Sequence, residues 1–113
     1  MKVLFVIPSK TGFTGASLAP IRLMFGLLEK GIDVYIVATE PPKNQREYLE
    51  RLKEKNAKII TIPSTNSGRR YWKELTKKGL EVLDENDIDI VHAHLPKLVY
   101  FMGKAVKKRN KKI

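Results

Sequence analysis

The chain has 113 residues, 42% of them hydrophobic, which is one domain's length with enough apolar side chains to bury a core. It holds no cysteine, which excludes disulfides and cysteine-ligated metal within these residues and is compatible with a reducing cytoplasm; no apolar run reaches the ~18 residues of a membrane span. The net charge of +10, from 22 basic against 12 acidic residues, leaves three readings open: a solvated helix end, attraction to an anionic membrane or lipid-linked substrate, and nucleic acid, for which no motif is present.

Lys2 to Ile7 (KVLFVI) is apolar without alternation, as expected of a strand covered on both faces in a parallel sheet, and nothing in it resembles a signal peptide with a small-residue cleavage site. Pro8 ends it. The loop from Ser9 to Ser17 (SKTGFTGAS) brings glycines and hydroxyls to the place where a strand's carboxyl end meets a helix amino end, an anion site in outline. Leu18, Ile21, Met24, Phe25 and Leu28 then recur at helical spacing, with Ser17 as the expected cap, Pro20 in the first turn and Gly31 as a left-handed stop. Ile32 is expected to fold back on the helix before a second strand over Val34 to Val37, so that the unit forms a right-handed crossover.

Asn44 is the expected cap of a second helix reaching Lys55, with Tyr48, Leu49 and Leu52 as its apolar stripe and Glu47 and Arg51 placed to pair. Lys58 to Ile62 (KIITI) reads as a third strand. Ser64 to Arg70 reads as a polar loop at the same sheet edge as the glycine loop, either a solvent-facing connector or a segment touching ligand. The third helix is expected from Tyr71 to Asp84 with Trp72, Leu75, Gly79, Val82 and Leu83 inward, Gly79 permitting close packing on a strand.

Ile88 to His94 reads as a fourth strand in which His92 and His94 share a face. Zinc would need a third protein ligand that the sequence does not obviously supply, so no metal is expected; His92 reads as a buried histidine and His94, at the strand's carboxyl end, as the one placed to meet a ligand. The last helix, Pro96 to Asn110, buries Leu98, Phe101, Met102, Ala105 and Val106. It also concentrates Lys104, Lys107, Lys108, Arg109, Lys111 and Lys112 at its carboxyl end, where the dipole favours cations.

Four strands alternating with four helices give an open, doubly wound α/β sheet of expected order 3-2-1-4, with the topological switch between the first and fourth strands. That order puts the loop Gly12 to Ser17 and the tip at His94 on opposite sides of one crevice. It also makes the fourth strand an edge, through which, or through the last helix, the chain is expected to self-associate.

VLFVIPS, TGFTGAS, LLEKGIDVYIVA and DIDIVHAHLP, in that order and spacing, resemble the amino-terminal domain of family 4 (group 1) glycosyltransferases of the GT-B fold, whose halves are Rossmann-like. A dinucleotide fingerprint and a phosphate-loop motif are both absent. The resemblance implies one lobe that chiefly binds the acceptor, with the nucleotide-sugar on a second, carboxyl-terminal lobe or partner subunit, and retaining transfer with no required metal or cofactor. It places Gly12, Thr14, Gly15 and Ser17 at the substrate or phosphate and His94 in the cleft near the transferred sugar. The chain departs from the family pattern at Ala16, Ser17 and Ile32, and it lacks the Glu-x7-Glu pair of the second domain.

Two classes of function follow. One is the acceptor-binding half of a cytoplasmic sugar transferase making glycans, polysaccharides or glycolipids, inactive alone and able to sit at a membrane surface. The other is a non-catalytic phosphate-binding module or an assembly or membrane-surface adaptor.

Overall fold

A computed structural model of the chain describes residues 1–8, 18–40, 46–63, 68–93, 96–109 and 111. The elements alternate as β1 (Lys2–Ile7), α1 (Leu18–Glu29), β2 (Asp33–Thr39), α2 (Glu47–Glu54), β3 (Lys58–Ile62), α3 (Gly68–Asn86), β4 (Ile90–Ala93) and α4 (Pro96–Lys108). All strand pairs are parallel and the sheet order is β3-β2-β1-β4, as the sequence implies for a Rossmann-like fold.

The unbroken apolar run of β1 is explained by its position. Val3, Phe5 and Ile7 face one side, where they join Ile21 and Met24 of α1 and Leu49 and Leu52 of α2. Leu4 and Val6 face the other, where they join Leu75, Val82 and Leu83 of α3 and Leu98, Met102 and Val106 of α4. A central strand covered on both faces cannot alternate apolar with polar. β4 pairs with β1 alone among the described residues, so its outer side is an edge.

Helix ends show local chemistry at work. Gly31 adopts φ +77°, the Ile32 amide donates to the Leu27 carbonyl at 3.1 Å and the Gly31 amide to Leu28 at 3.1 Å, a reciprocal termination that needs a left-handed residue. Ile32 is then half-buried against the α1–α2 core. Asn56 repeats the motif after α2 at φ +74°, with the Ala57 amide on Leu52 at 3.1 Å.

Several expectations are corrected. The second helix begins at Glu47, and its N-cap position belongs to Arg46, which makes no side-chain cap bond and pairs instead with Glu40 at 3.6 Å; Asn44 lies outside the described residues, as does the expected cap Ser17. Glu47 and Arg51 do meet, at 4.0 Å on an exposed face. α3 starts at Gly68 (φ +59°) and runs to Asn86, so Arg69 and Arg70 belong to its first turn and not to a loop. Tyr71, not Trp72, is its buried aromatic; Trp72 is half-buried beside the core. β4 is shorter than expected because Ile88 and Asp89 precede its ladder, although Ile88 is fully buried. α4 ends at Lys108, with Phe101 and Ala105 only half-buried.

Candidate functional site at the carboxyl edge of the sheet

Because every strand is parallel, all four carboxyl ends lie on one edge, where open α/β sheets bind ligands. β1 and β4 are neighbours there, with Val6 opposite Ala93. The chain leaving β1 leads to α1 on one face, and the chain leaving β4 leads to α4 on the other. Such divergence at a switch point is where open α/β sheets form a ligand crevice. The expected site residues Gly12, Thr14, Gly15, Ser17 and His94 belong to the two segments that leave these strands and lie outside the described residues.

The amino edge is closed by polar contacts. The Lys2 amide donates to Asp89 Oδ2 at 2.9 Å, Lys2 Nζ donates to the Asn86 carbonyl at 3.0 Å, and Lys58 Nζ donates to Tyr35 Oη at 3.2 Å while lying 4.9 Å from that ring's centre.

At the carboxyl edge one buried contact positions α3. Thr39, the last residue of β2, shares a 2.7 Å hydrogen bond with the Tyr71 hydroxyl, and Trp72 stands edge-on to Tyr71 with ring centres 5.2 Å apart. The bond pins the start of α3 above the end of β2. Arg69 and Arg70 are thereby held exposed on a first turn that contains no acidic residue, and neither pairs with a carboxylate among the described residues. Two guanidinium groups at the positive end of a helix dipole are unfavourable for the helix and favourable for a nearby anion.

His92 lies on the face shared with Phe5, its ring centre 5.1 Å from the phenyl centre. Burial pushes its imidazole below the ordinary 6.5, since a charged ring loses hydration there. The unfolded chain therefore binds this proton more readily than the folded one. Stability should be full above pH 6.5 and fall as pH drops through 6.5 towards the lowered folded value. The Arg109 bond to Asp84 holds that carboxyl below its ordinary 3.8, so the loss tied to Asp84 comes in a separate, more acid window. Denaturant midpoints compared at about pH 7.5 and about pH 5 should drop for the parent chain and drop less for His92→Gln; an equal drop in both would assign the loss to other groups. Among the described residues no three His, Asp or Glu side chains gather as a metal site.

The family model for Glycosyltransferase Family 4 matches residues 14–113. The chain belongs to glycosyltransferase family 4. The crystal structure of a glycosyltransferase from Rickettsia africae ESF-5 superposes with a TM-score of 0.67 over 98% of this chain at 18% identity, a likeness of fold. The family 4 domain seen here spans 28% of that protein's length. No curated protein matches the chain.

Sequence reasoning found the sheet order but missed the Thr39–Tyr71 bond. Its one signal was Thr39 itself, a hydroxyl closing the otherwise apolar run VYIVA and 1% exposed. A buried hydroxyl requires a partner, and α3 supplies it.

Proposed function

We propose that this family 4 domain is the acceptor-binding half of a cytoplasmic enzyme that transfers a sugar from a nucleotide-sugar to an acceptor hydroxyl in the synthesis of glycans, polysaccharides or glycolipids. The observation that carries the reading is the family match, which extends from residue 14 to residue 113 and so includes every element after β1. The divergence of β1 and β4 supports it, because open α/β sheets bind ligands at such a switch point, the edge to which Gly12, Thr14, Gly15, Ser17 and His94 belong by sequence.

In such a transfer the bond from the anomeric carbon to the diphosphate oxygen breaks, the acceptor oxygen bonds to that carbon, and the acceptor's proton must leave. The departing diphosphate gains negative charge, and preorganised donors and cations lower the barrier most when they face it. On this reading Gly12 and Gly15 let backbone amides approach the substrate, Thr14 and Ser17 offer hydroxyls, and His94 lines the cleft beside the transferred sugar. Arg69 and Arg70 add positive potential along the same edge.

A single lobe presents only one side of that arrangement. The 113-residue chain incubated with nucleotide-sugars and simple glycoside acceptors should give no transfer above the uncatalysed rate. Transfer at an enzymatic rate would overturn the half-site reading.

A further inference from the structure

Two copies of a chain that carries a net charge of +10 repel each other unless the surfaces that touch balance their own charges. α4 does not. It contains no acidic residue, so packing it on its own copy would set Lys104, Lys107 and Lys108 against the same lysines, an obstacle to the self-association expected through the last helix. The α1–α2 layer differs in kind. α2 carries Glu47, Glu50 and Glu54 against Arg51 and Lys53, and α1 carries one acid, Glu29, against one cation, Arg22.

Between α1 and α2 runs an open groove of about 510 Å³, floored by buried Ile21 with half-buried Phe25 and Tyr48, and bordered by Arg22 and Glu29. Both border residues are exposed, and neither has an ion-pair partner among the described residues. Being seven residues apart, they stand about 10 Å from each other on one stripe of α1. Glu29 is the last residue of that helix, where the dipole disfavours an acid. Midway between them is Gly26, which weakens a helix interior relative to alanine. A Cβ there would meet nothing within 4 Å, so no packing inside the chain asks for a glycine, in contrast to Gly79. Gly103 of α4 is equally open but lies on a helix with no acid to oppose its lysines.

We propose that the chain forms a two-fold dimer through the outer face of the α1–α2 layer, with α1 antiparallel to the partner's α1. Charge selects the axis. A two-fold running across the helices beside Gly26 sets Arg22 against the partner's Glu29 and Glu29 against the partner's Arg22, whereas one running along the helices would set each against its own copy. Gly26 then lets the two backbones approach closely at the axis. The copy covers Phe25 and Tyr48, and the aliphatic stems of Arg22 and Arg51 lie over the groove. The inference does not depend on sugar transfer and stands whether or not the acceptor-side reading holds.

Sedimentation of the full chain from micromolar to near-millimolar concentration tests it, and the parent should pass from monomer to dimer. Arg22→Glu and Glu29→Arg each turn two attractive pairs into two repulsive ones, so each should raise the dissociation constant about tenfold or more. Arg22→Glu also lowers the net charge, so its weaker pairing cannot come from overall repulsion. An equimolar mixture of the two variants opposes unlike charges at both pairs again and should dimerise as tightly as the parent, as should the double variant R22E/E29R. Gly26→Leu should raise the melting temperature of the monomer through helix propensity and yet weaken the dimer, a split that a purely structural glycine would not give. The chain has no cysteine, so Gly26→Cys supplies one thiol per copy, and oxidation by diamide should link the copies across the axis; Tyr100→Cys, at a position 82% exposed on α4, should stay unlinked. Circular dichroism confirms that each variant remains folded. A strict monomer at the highest concentration, a mixture that fails to restore pairing, or linkage through Tyr100→Cys in preference to Gly26→Cys would overturn the proposal.

Discussion

Phe5→Ala lowers the unfolding free energy by about 3–5 kcal/mol, the usual cost of emptying a fully buried aromatic site. Phe5 is fully buried in the middle of the central strand, among Ile21 and Met24 of α1 and the leucines of α2. β1 is hydrogen-bonded on both sides and cannot shift to fill the space. A second consequence is electrostatic. The phenyl ring helps keep water from His92, so its loss should let the imidazole pKa return towards 6.5. Thermal melting and a His92 proton titration measure the two effects; a fall in stability of less than ~1 kcal/mol would mean that the core closes over the gap.

Gly79→Leu should cost about 3 kcal/mol by the opposite mechanism, overpacking. A Cβ at Gly79 would meet Met102 Cε at 3.0 Å and Val6 Cγ2 at 3.1 Å, so α3 presses on β1 and α4 through this one residue. A leucine would have to lever the helix off the sheet. Gly79→Ala is the informative contrast. It gains about 1 kcal/mol of helix propensity, and only the flexible tip of Met102 and a methyl of Val6 must give way, so it should fall within about 1 kcal/mol of the parent. Urea unfolding separates the cases; a stable Gly79→Leu would show that the close approach is not required.

The fold was legible where one residue or one period dictates a geometry. KVLFVI suits a strand covered on both faces, Gly31 sits where a left-handed residue ends α1, and Gly79 marks a close approach of α3 to the sheet. It was less legible where two solutions share one pattern. Tyr71 and Trp72 lie four and three residues before Leu75, so either can face the core at helical spacing. The buried Thr39 hydroxyl, distant in sequence, decides for Tyr71. The start of α2 shows the same limit, because Arg46 pairs at 3.6 Å with Glu40, a partner that local capping rules do not see. The family and the sheet order were legible in the sequence, and the structure adds Arg69 and Arg70 as helical and Tyr71 as the residue that fixes their helix.

On the proposed function, ligand meets this domain at the carboxyl edge where β1 and β4 diverge. Amide shifts recorded while uridine diphosphate or inorganic phosphate is titrated into the chain test it most directly. The largest shifts are expected at residues 7–18 and 92–96, with weaker binding and an unchanged melting temperature in Gly15→Val. Shifts confined to the amino edge, around Lys2, Asp33, Lys58 and Asp89, would contradict it.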